Sequence, residues 1–489
     1  MDPKSVVLEE NQRFSNSILW NLQDEAYKQF GIDAWSQKGV PFYLTSNPHT
    51  AYSYAQIALG YIRDCLREEM IDANEPVYIF DLGAGSGRFG YLFLKTLLPL
   101  IENLFFGRVK ICYVLTDIVE TNVTFWQQHP QLKPWFEKGV LDCAFYANDQ
   151  SKPLHLLHAD KTLSETTNPL IIIGNYFFDT IPQDLFRIHN NNLEEGRVTI
   201  TVEENSFTSH ADPLLIPNLH CSYTYVPIDN PKSYYAHFPL LNEILEHYRQ
   251  TFPETSFLFP EGGFVSIRYF SQMSNGRLLL LAGDQGVCTE QQIRSWGEPH
   301  IARHGTFSIS VSYHAIAEFF NLSGGTGLLT NFSDPFFVVL AGVMGNGRYP
   351  ETIAAFERHH DHFEPKDYWH LVDEIQQQIE NPSLNFLILL LKLGHWDPIN
   401  FHHFFLTIRK LLPTLPPEKV EELLRVIDNV HDQFFPICPE EGDFLMNLGV
   451  LYFQLGQPHR ALNLFQQAQQ IGCSSPLLTK NIAACLKLI

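Results

Sequence analysis

Residues 77–90 read VYIFDLGAGSGRFG, and no other stretch of the chain narrows its possible folds as far. Val77, Tyr78, Ile79 and Phe80 have the length and β-rich composition of a buried parallel strand, which packs on both faces and needs no polar alternation. Gly83, Gly85 and Gly87 then supply a turn in which backbone can approach a ligand closely. From Phe89 to Leu98 apolar residues recur at helical spacing. Strand, glycine turn and helix in that order predict the first unit of a doubly wound α/β sheet, whose ligands sit at the carboxyl ends of the strands.

Two classes of nucleoside cofactor fit such a turn. Residues 85–90, GSGRFG, satisfy the dinucleotide fingerprint G-x-G-x-x-G. Asp81, just before the first glycine, points the other way: a carboxylate there repels a pyrophosphate but suits the ammonium of a methionine moiety and the sulfonium beside it. The arrangement resembles motif I of the class I S-adenosylmethionine-dependent methyltransferases, which have a Rossmann-like fold. A second strand-like run, residues 109–116, ends in Asp117, where that superfamily places an acid that accepts from the ribose hydroxyls. NAD enzymes use an acid in the same way, so Asp117 does not separate the two classes. The resemblance implies S-adenosyl-L-methionine as cofactor, with Asp81, Gly83, Gly85 and Gly87 at its methionine end and Asp117 at its ribose. For the adenine, Asn148 or Asp149 follows the strand-like residues 141–146, and both also read as surface-loop residues.

Composition sets limits on this reading. A chain of 489 residues is too long for one core and predicts two or three domains. No window of 18 uninterrupted apolar residues occurs, and the start MDPKSVVLEENQRF has neither the basic-then-apolar order of a secretory signal nor the character of a transit peptide. A soluble, cytoplasmic protein without membrane contact is the expectation. Eight cysteines are scattered singly with no C-x-x-C, which predicts neither a zinc site nor a disulfide framework. A formal charge of −21 disfavours nucleic acid, whose phosphates need clustered Lys and Arg, and favours basic protein segments.

Along the chain, residues 1–70 read as a helical segment interrupted by turn formers at 39–48. Residues 71–345 alternate strand and helix, with a β-rich insertion at about 190–275, and residues 346–489 are helical. The strand candidate at 170–174, LIIIG, leads into NYFFDTIPQDLF at 175–186, similar to the N-E-F-F-D-A-L-P motif of the MidA family, the complex I assembly type of methyltransferase. Residues 276–286, GRLLLLAGDQG, resemble that family's strand ending in D-Y-G. Residues 307–317, FSISVSYHAIA, resemble its D-I-T-A-H-V-D-F stretch, and YLTS at 43–46 echoes a segment that enters near the cofactor. The resemblance runs in order over about residues 30–345. It implies a protein acceptor, arginine in the mitochondrial branch, and gives Asn175 and Asp179 as catalytic residues that orient the acceptor.

Tyr176 departs from the family, which has glutamate there. A guanidinium is always protonated and needs carboxylates to hold it and localise a lone pair. With one acid missing, Asp179, Asp184 or Asp284 must substitute, or the acceptor is a different group. Asp179 also reads as an N-cap for a following helix.

In the last part, Leu445, Leu448, Gly449, Tyr452, Ala461, Phe465 and Ala468 occupy the apolar and small positions of a tetratricopeptide repeat, with Gly456 at the turn. One repeat cannot bury its own face, so a TPR-like all-α array is expected, either offering a groove to a protein substrate or peptide partner or acting as a helical lid that only braces the catalytic domain. The run ERHHDH at 357–362 lacks H-E-x-x-H spacing and reads as a solvated helix end, not a metal site. Two functions therefore stand: a methyltransferase acting on a protein side chain, or a catalytically inactive adaptor that keeps the fold and works through its repeats.

Overall fold

The computed structural model describes residues 5–148, 153–330, 337–378 and 382–489. Ser5–Arg13 is a strand, β1, so the expected helical segment over residues 1–70 is corrected at this point. Helix α1 (Ile18–Phe30) follows, its first turn capped by Ser17, whose hydroxyl accepts from the Leu19 amide and donates to Glu9 at 2.6 Å. A short helix α2 (Asp33–Ser36) precedes α3 (Pro48–Arg67). Asn47 caps α3 by accepting from the Thr50 amide at 2.9 Å, with Pro48 in the first helical turn, so the turn formers at 39–48 are a loop and a cap.

The glycine-rich unit folds as its local chemistry requires. Strand β2 (Pro76–Asp81) runs into the turn, and helix α4 (Arg88–Phe105) leaves it. Strands β3 (Lys110–Asp117) and β4 (Leu141–Phe145) extend the sheet on one side of β2, and β5 (Leu170–Ile173) lies on its other side. All four pair in parallel, with Ile79 in register between Tyr113 and Ile171. Because the chain steps outward to β3 and β4 and then returns across β2, the sheet reverses between β2 and β5, which opens a crevice at the strand ends.

From β5 the chain enters an antiparallel excursion of four strands, β6 (Asp184–His189), β7 (Asn192–Glu203), β8 (His220–Pro227) and β9 (Thr255–Phe259). These form a second sheet with β1, which pairs antiparallel with β7, Ser5 opposite Glu203. The helix Glu261–Met273 leads back to β10 (Leu278–Asp284), parallel to β5. Then β11 (Thr326–Leu329) and β12 (Val338–Met344) complete the main sheet, with β12 antiparallel to both its neighbours. Among the described residues this sheet has seven strands in the order β11-β12-β10-β5-β2-β3-β4.

Period-two geometry divides the central strands between two cores. Val77, Ile79, Ile111, Tyr113, Ile171 and Ile173 face α3 and α4, whereas Tyr78, Phe80, Cys112, Val114 and Ile172 face the helix Glu261–Met273. Burial on both sides explains why these strands read as continuous apolar runs.

Beyond β12 the described residues are helical. The helices Gly442–Gln454 and Pro458–Gln470 close on one another where Gly449 meets Phe465, and a Cβ at 449 would lie 2.5 Å from that ring. Tyr349, Ala355, Phe356, Phe435 and Ile437 belong to the same core as α3, α4 and one face of the main sheet, so residues beyond 345 share the sheet's interior. No helix among the described residues is long and apolar enough to cross a membrane.

Candidate active site

The carboxyl ends of β2, β3 and β5 meet at a cavity of about 310 Å³ lined by Asp81, Gly83, Gly85, Asp117, Asn148 and Asn175, among others. Gly83, Gly85 and Gly87 have φ of +64°, +57° and +74°, the left-handed region open to glycine at no steric cost. At Gly85 a second constraint applies, because an added Cβ would lie 2.6 Å from the Trp35 indole. Trp35 therefore packs directly against the glycine turn. Gly87 is not in the cavity wall; it faces the Trp126 ring, and its place in the turn serves packing.

Asp81 is 3% exposed and accepts from the Tyr113 hydroxyl at 2.8 Å. Burial pushes its carboxyl up to about 7, a desolvation that a bound cation would relieve. Asp117 sits across the turn on β3. Its Oδ2 accepts from the Gly85 amide at 3.1 Å and from Asn122 Nδ2 at 3.0 Å, and its Oδ1 accepts from the Val119 amide at 3.1 Å. Burial raises Asp117 to about 6 in spite of these donors. The carboxylate thus fastens the turn as well as facing the cavity. Two acids on adjacent strands and positive-φ glycines between them form a site whose field suits a cationic, hydroxyl-bearing ligand.

Of the two adenine candidates, Asn148 lines the cavity and accepts from the Ser266 hydroxyl at 3.0 Å, beside the Tyr146 ring; Asp149 lies outside the described residues. Asn175 lines the cavity from the end of β5. Its Oδ1 accepts from the Tyr54 hydroxyl at 2.9 Å, and its buried Nδ2 has no hydrogen-bond partner among the described residues. Tyr176 also lines the cavity and holds φ +50°, an uncommon conformation for an aromatic residue, with its amide donating to Gly283 O at 3.1 Å.

Asp179 is placed differently from the expectation. It is 3% exposed and absent from the cavity wall, and its amide donates to Asp284 Oδ2 at 3.2 Å. The N-cap alternative does not hold either, since residues 175–183 contain no helix and lead from a turn at 175–179 into β6. Burial raises both carboxyls, and the charge of Asp179 raises Asp284 further. Asp184, the other substitute acid, accepts from Arg13 and from the Tyr235 hydroxyl in the second sheet.

The sequence reading missed a whole wall. Trp20, Asp24 and Tyr27 on α1 and Trp35 on α2 line the cavity, and burial raises Asp24 to about 6. Their spacing of four and three residues puts Trp20, Asp24 and Tyr27 on one helical face, which is the signal that could have located them.

Residues 65–280 match the family described as "Putative S-adenosyl-L-methionine-dependent methyltransferase". No curated protein matches the chain. Among solved structures, a Burkholderia thailandensis protein described as an uncharacterized ACR is 12% identical, covering 69% of this chain and 96% of its own, with a TM-score of 0.39. A second structure from that organism, of a COG1565 superfamily member described as a likely methyl transferase and bound to S-adenosyl-homocysteine, is 14% identical over 70% of this chain and 96% of its own, again with a TM-score of 0.39. At this level of superposition neither fixes the fold, which rests on the sheet order above. The family match covers fewer than half of the residues, and together with the acid-lined glycine cradle it supports S-adenosyl-L-methionine as the cofactor.

Proposed function

We propose that this chain is a methyltransferase of MidA type that uses S-adenosylmethionine to methylate a nitrogen on a protein side chain, in a cytoplasmic setting consistent with its singly scattered thiols. The observation that supports this most directly is the opening of Asp81 and Asp117, from neighbouring strand ends, onto one cavity beside left-handed glycines. S-adenosylmethionine, when bound, supplies a methyl group already activated by its sulfonium. The chain's share is alignment and exclusion of water, effects worth up to about 7–11 kcal/mol in favourable systems. Asp81 takes the ammonium of the methionine end, and its ionisation is favoured by that partner. Asp117 takes the ribose and, through the Gly85 amide, couples that end to the turn. Asn148 and the Tyr146 ring serve the adenine, and Asn175 at the end of β5 orients the acceptor nitrogen. The Asp179–Asp284 pair stands behind this wall and fixes the segment that carries Asn175. The helical residues beyond 345, with their TPR-like pair, serve partner recognition.

A second reading, an inactive adaptor working through the helical repeats, is favoured by Tyr176 in the place of the family glutamate and by the withdrawal of Asp179 from the cavity. Transfer of labelled methyl from S-adenosylmethionine into a lysate separates the two. Label on a discrete protein band that is lost in Asp81→Ala and Asp117→Ala supports the enzyme. Tight cofactor binding with no transfer supports the adaptor.

A further inference from the structure

A second cavity of about 340 Å³ adjoins the first and shares with it Trp35, Val40, Pro41, Phe42 and Tyr176. Its walls are aromatic: to Trp35, Phe42 and Tyr176 it adds Tyr43 and Trp369, the last two with ring centres 4.6 Å apart. Each of these five rings is partly exposed. Trp369 comes from the helix Pro365–Gln378, so the helical region supplies one wall of this vestibule. Among the described residues that line it, none is charged. On one ring a cation already sits, the protein's own Arg88 guanidinium, which is paired with Glu441 and lies 5.4 Å from the centre of Phe42; among the described residues no cation lies over the other four rings. Tyr176, the residue that replaces the family acid, stands at the junction of the two cavities in its left-handed conformation.

We propose that this vestibule admits the methyl acceptor and that the acceptor is an alkylamine, such as a lysine side chain, in place of a guanidinium. The inference rests on the methyltransferase reading and names its substrate class. Aromatic faces attract a compact ammonium without a carboxylate partner. An uncharged, apolar channel then lowers the amine's proton affinity, so the lone pair needed for attack becomes available as the proton leaves to water at the open mouth. A guanidinium does not lose its proton under these conditions, and it finds no acid in the vestibule wall to hold it in a bidentate fork. The nitrogen lone pair forms the N–C bond, the S–C bond breaks with both electrons passing to sulfur, and one N–H proton is released to solvent. Tyr176 is accordingly a specificity-determining residue, selecting amine over guanidinium at the point where the two cavities meet.

The test uses the full chain saturated with S-adenosylhomocysteine, titrated with the Nα-acetyl N-methylamides of lysine, arginine and norleucine and followed by tryptophan fluorescence and calorimetry. The lysine compound is expected to bind at least tenfold tighter than either of the others. Trp369→Ala is expected to remove that preference while S-adenosylhomocysteine affinity stays within twofold, and Tyr176→Glu to shift it toward arginine. Equal binding of norleucine, tighter binding of arginine by the native chain, or full lysine preference in Trp369→Ala would each overturn the proposal. Failure to bind S-adenosylhomocysteine at all would instead overturn the methyltransferase reading, which keeps the two outcomes distinguishable.

Discussion

Asp81 is held under opposing demands: the fold buries it, and the role proposed for it toward a ligand's ammonium needs it ionised. In the free protein its carboxyl lies at about 7 and that of Asp117 at about 6, both above the ordinary 3.8. A carboxyl raised on folding contributes stability below about pH 4 that is lost as pH rises through the folded value. Free-protein stability is therefore expected to decline between about pH 4 and 7 from these two groups. Ligand affinity should run the opposite way, because an ammonium binds the carboxylate form. Calorimetric titration with S-adenosylhomocysteine should show tightening from pH 5.5 to 7.5, approaching tenfold per pH unit at its steepest, and levelling above that. In Asp81→Asn the dependence should flatten and binding should weaken roughly tenfold, about 1.4 kcal/mol. Gly85→Ala places a methyl group against Trp35 in a left-handed backbone conformation, a strain of about 1–3 kcal/mol. It should lower the melting temperature and abolish the thermal shift given by S-adenosylhomocysteine.

Among the elements, local units were readable and long-range ones were not. The β2–turn–α4 unit announces itself because strand length, glycine spacing and helical periodicity all lie within residues 77–98. The positions of Asp81, Asp117 and Asn175 at strand ends followed from the same local pattern. Asp179 did not, since nothing in NYFFDTIP tells whether the acid faces the cavity or Asp284, 105 residues away. The α1 wall was likewise invisible, because its contact with the cavity depends on how residues 17–46 fold back over the glycine turn. Two caps and clasps of this kind can be tested. Asp64, fully buried on α3, accepts from the Thr352 amide and hydroxyl, both at 2.8 Å, and from the Glu351 amide at 3.2 Å, which anchors the start of the helix Pro350–Phe356. Asp64→Ala should destabilise the protein by about 2 kcal/mol in urea denaturation. Arg88, at the first turn of α4, turns away from the cofactor cavity and donates to both oxygens of Glu441, at 2.6 and 2.8 Å, and to Phe435 O. Arg88→Ala should cost about 3 kcal/mol, and Arg88→Lys should recover only part of it because one ammonium does not replace the Nε and Nη2 donors that together reach Phe435 O and Glu441.

At the scale of the molecule, residues on both sides of position 345 share one core. Phe435 stacks on His129 at 3.9 Å, Lys95 pairs with Asp432 at 2.7 Å, and Gln131 donates to Phe434 O at 2.9 Å, so the loop after the helix Pro417–Asp432 is clamped onto the sheet domain. A fragment ending at residue 345 would expose the α3 and α4 face that Phe356, Phe435 and Ile437 cover. It is expected to aggregate or to unfold without a cooperative transition, whereas the whole chain should melt in one calorimetric step. Separate, independent transitions for the two parts would contradict this.

The pairing of β1 with β7 sets an order on biosynthesis. Residues 5–13 leave the ribosome long before their hydrogen-bonding partners at 197–203 exist, a gap of roughly 10–40 s at the usual 5–20 residues per second. During that interval an unpaired, half-apolar ribbon must wait in the crowded cell for its seat in the second sheet, and α1, with its Trp20 and Tyr27, waits with it. Assembly of the cavity at the strand ends is therefore a late event, finished only when the nascent chain has come back to enclose the earlier segment that carries β1 and α1.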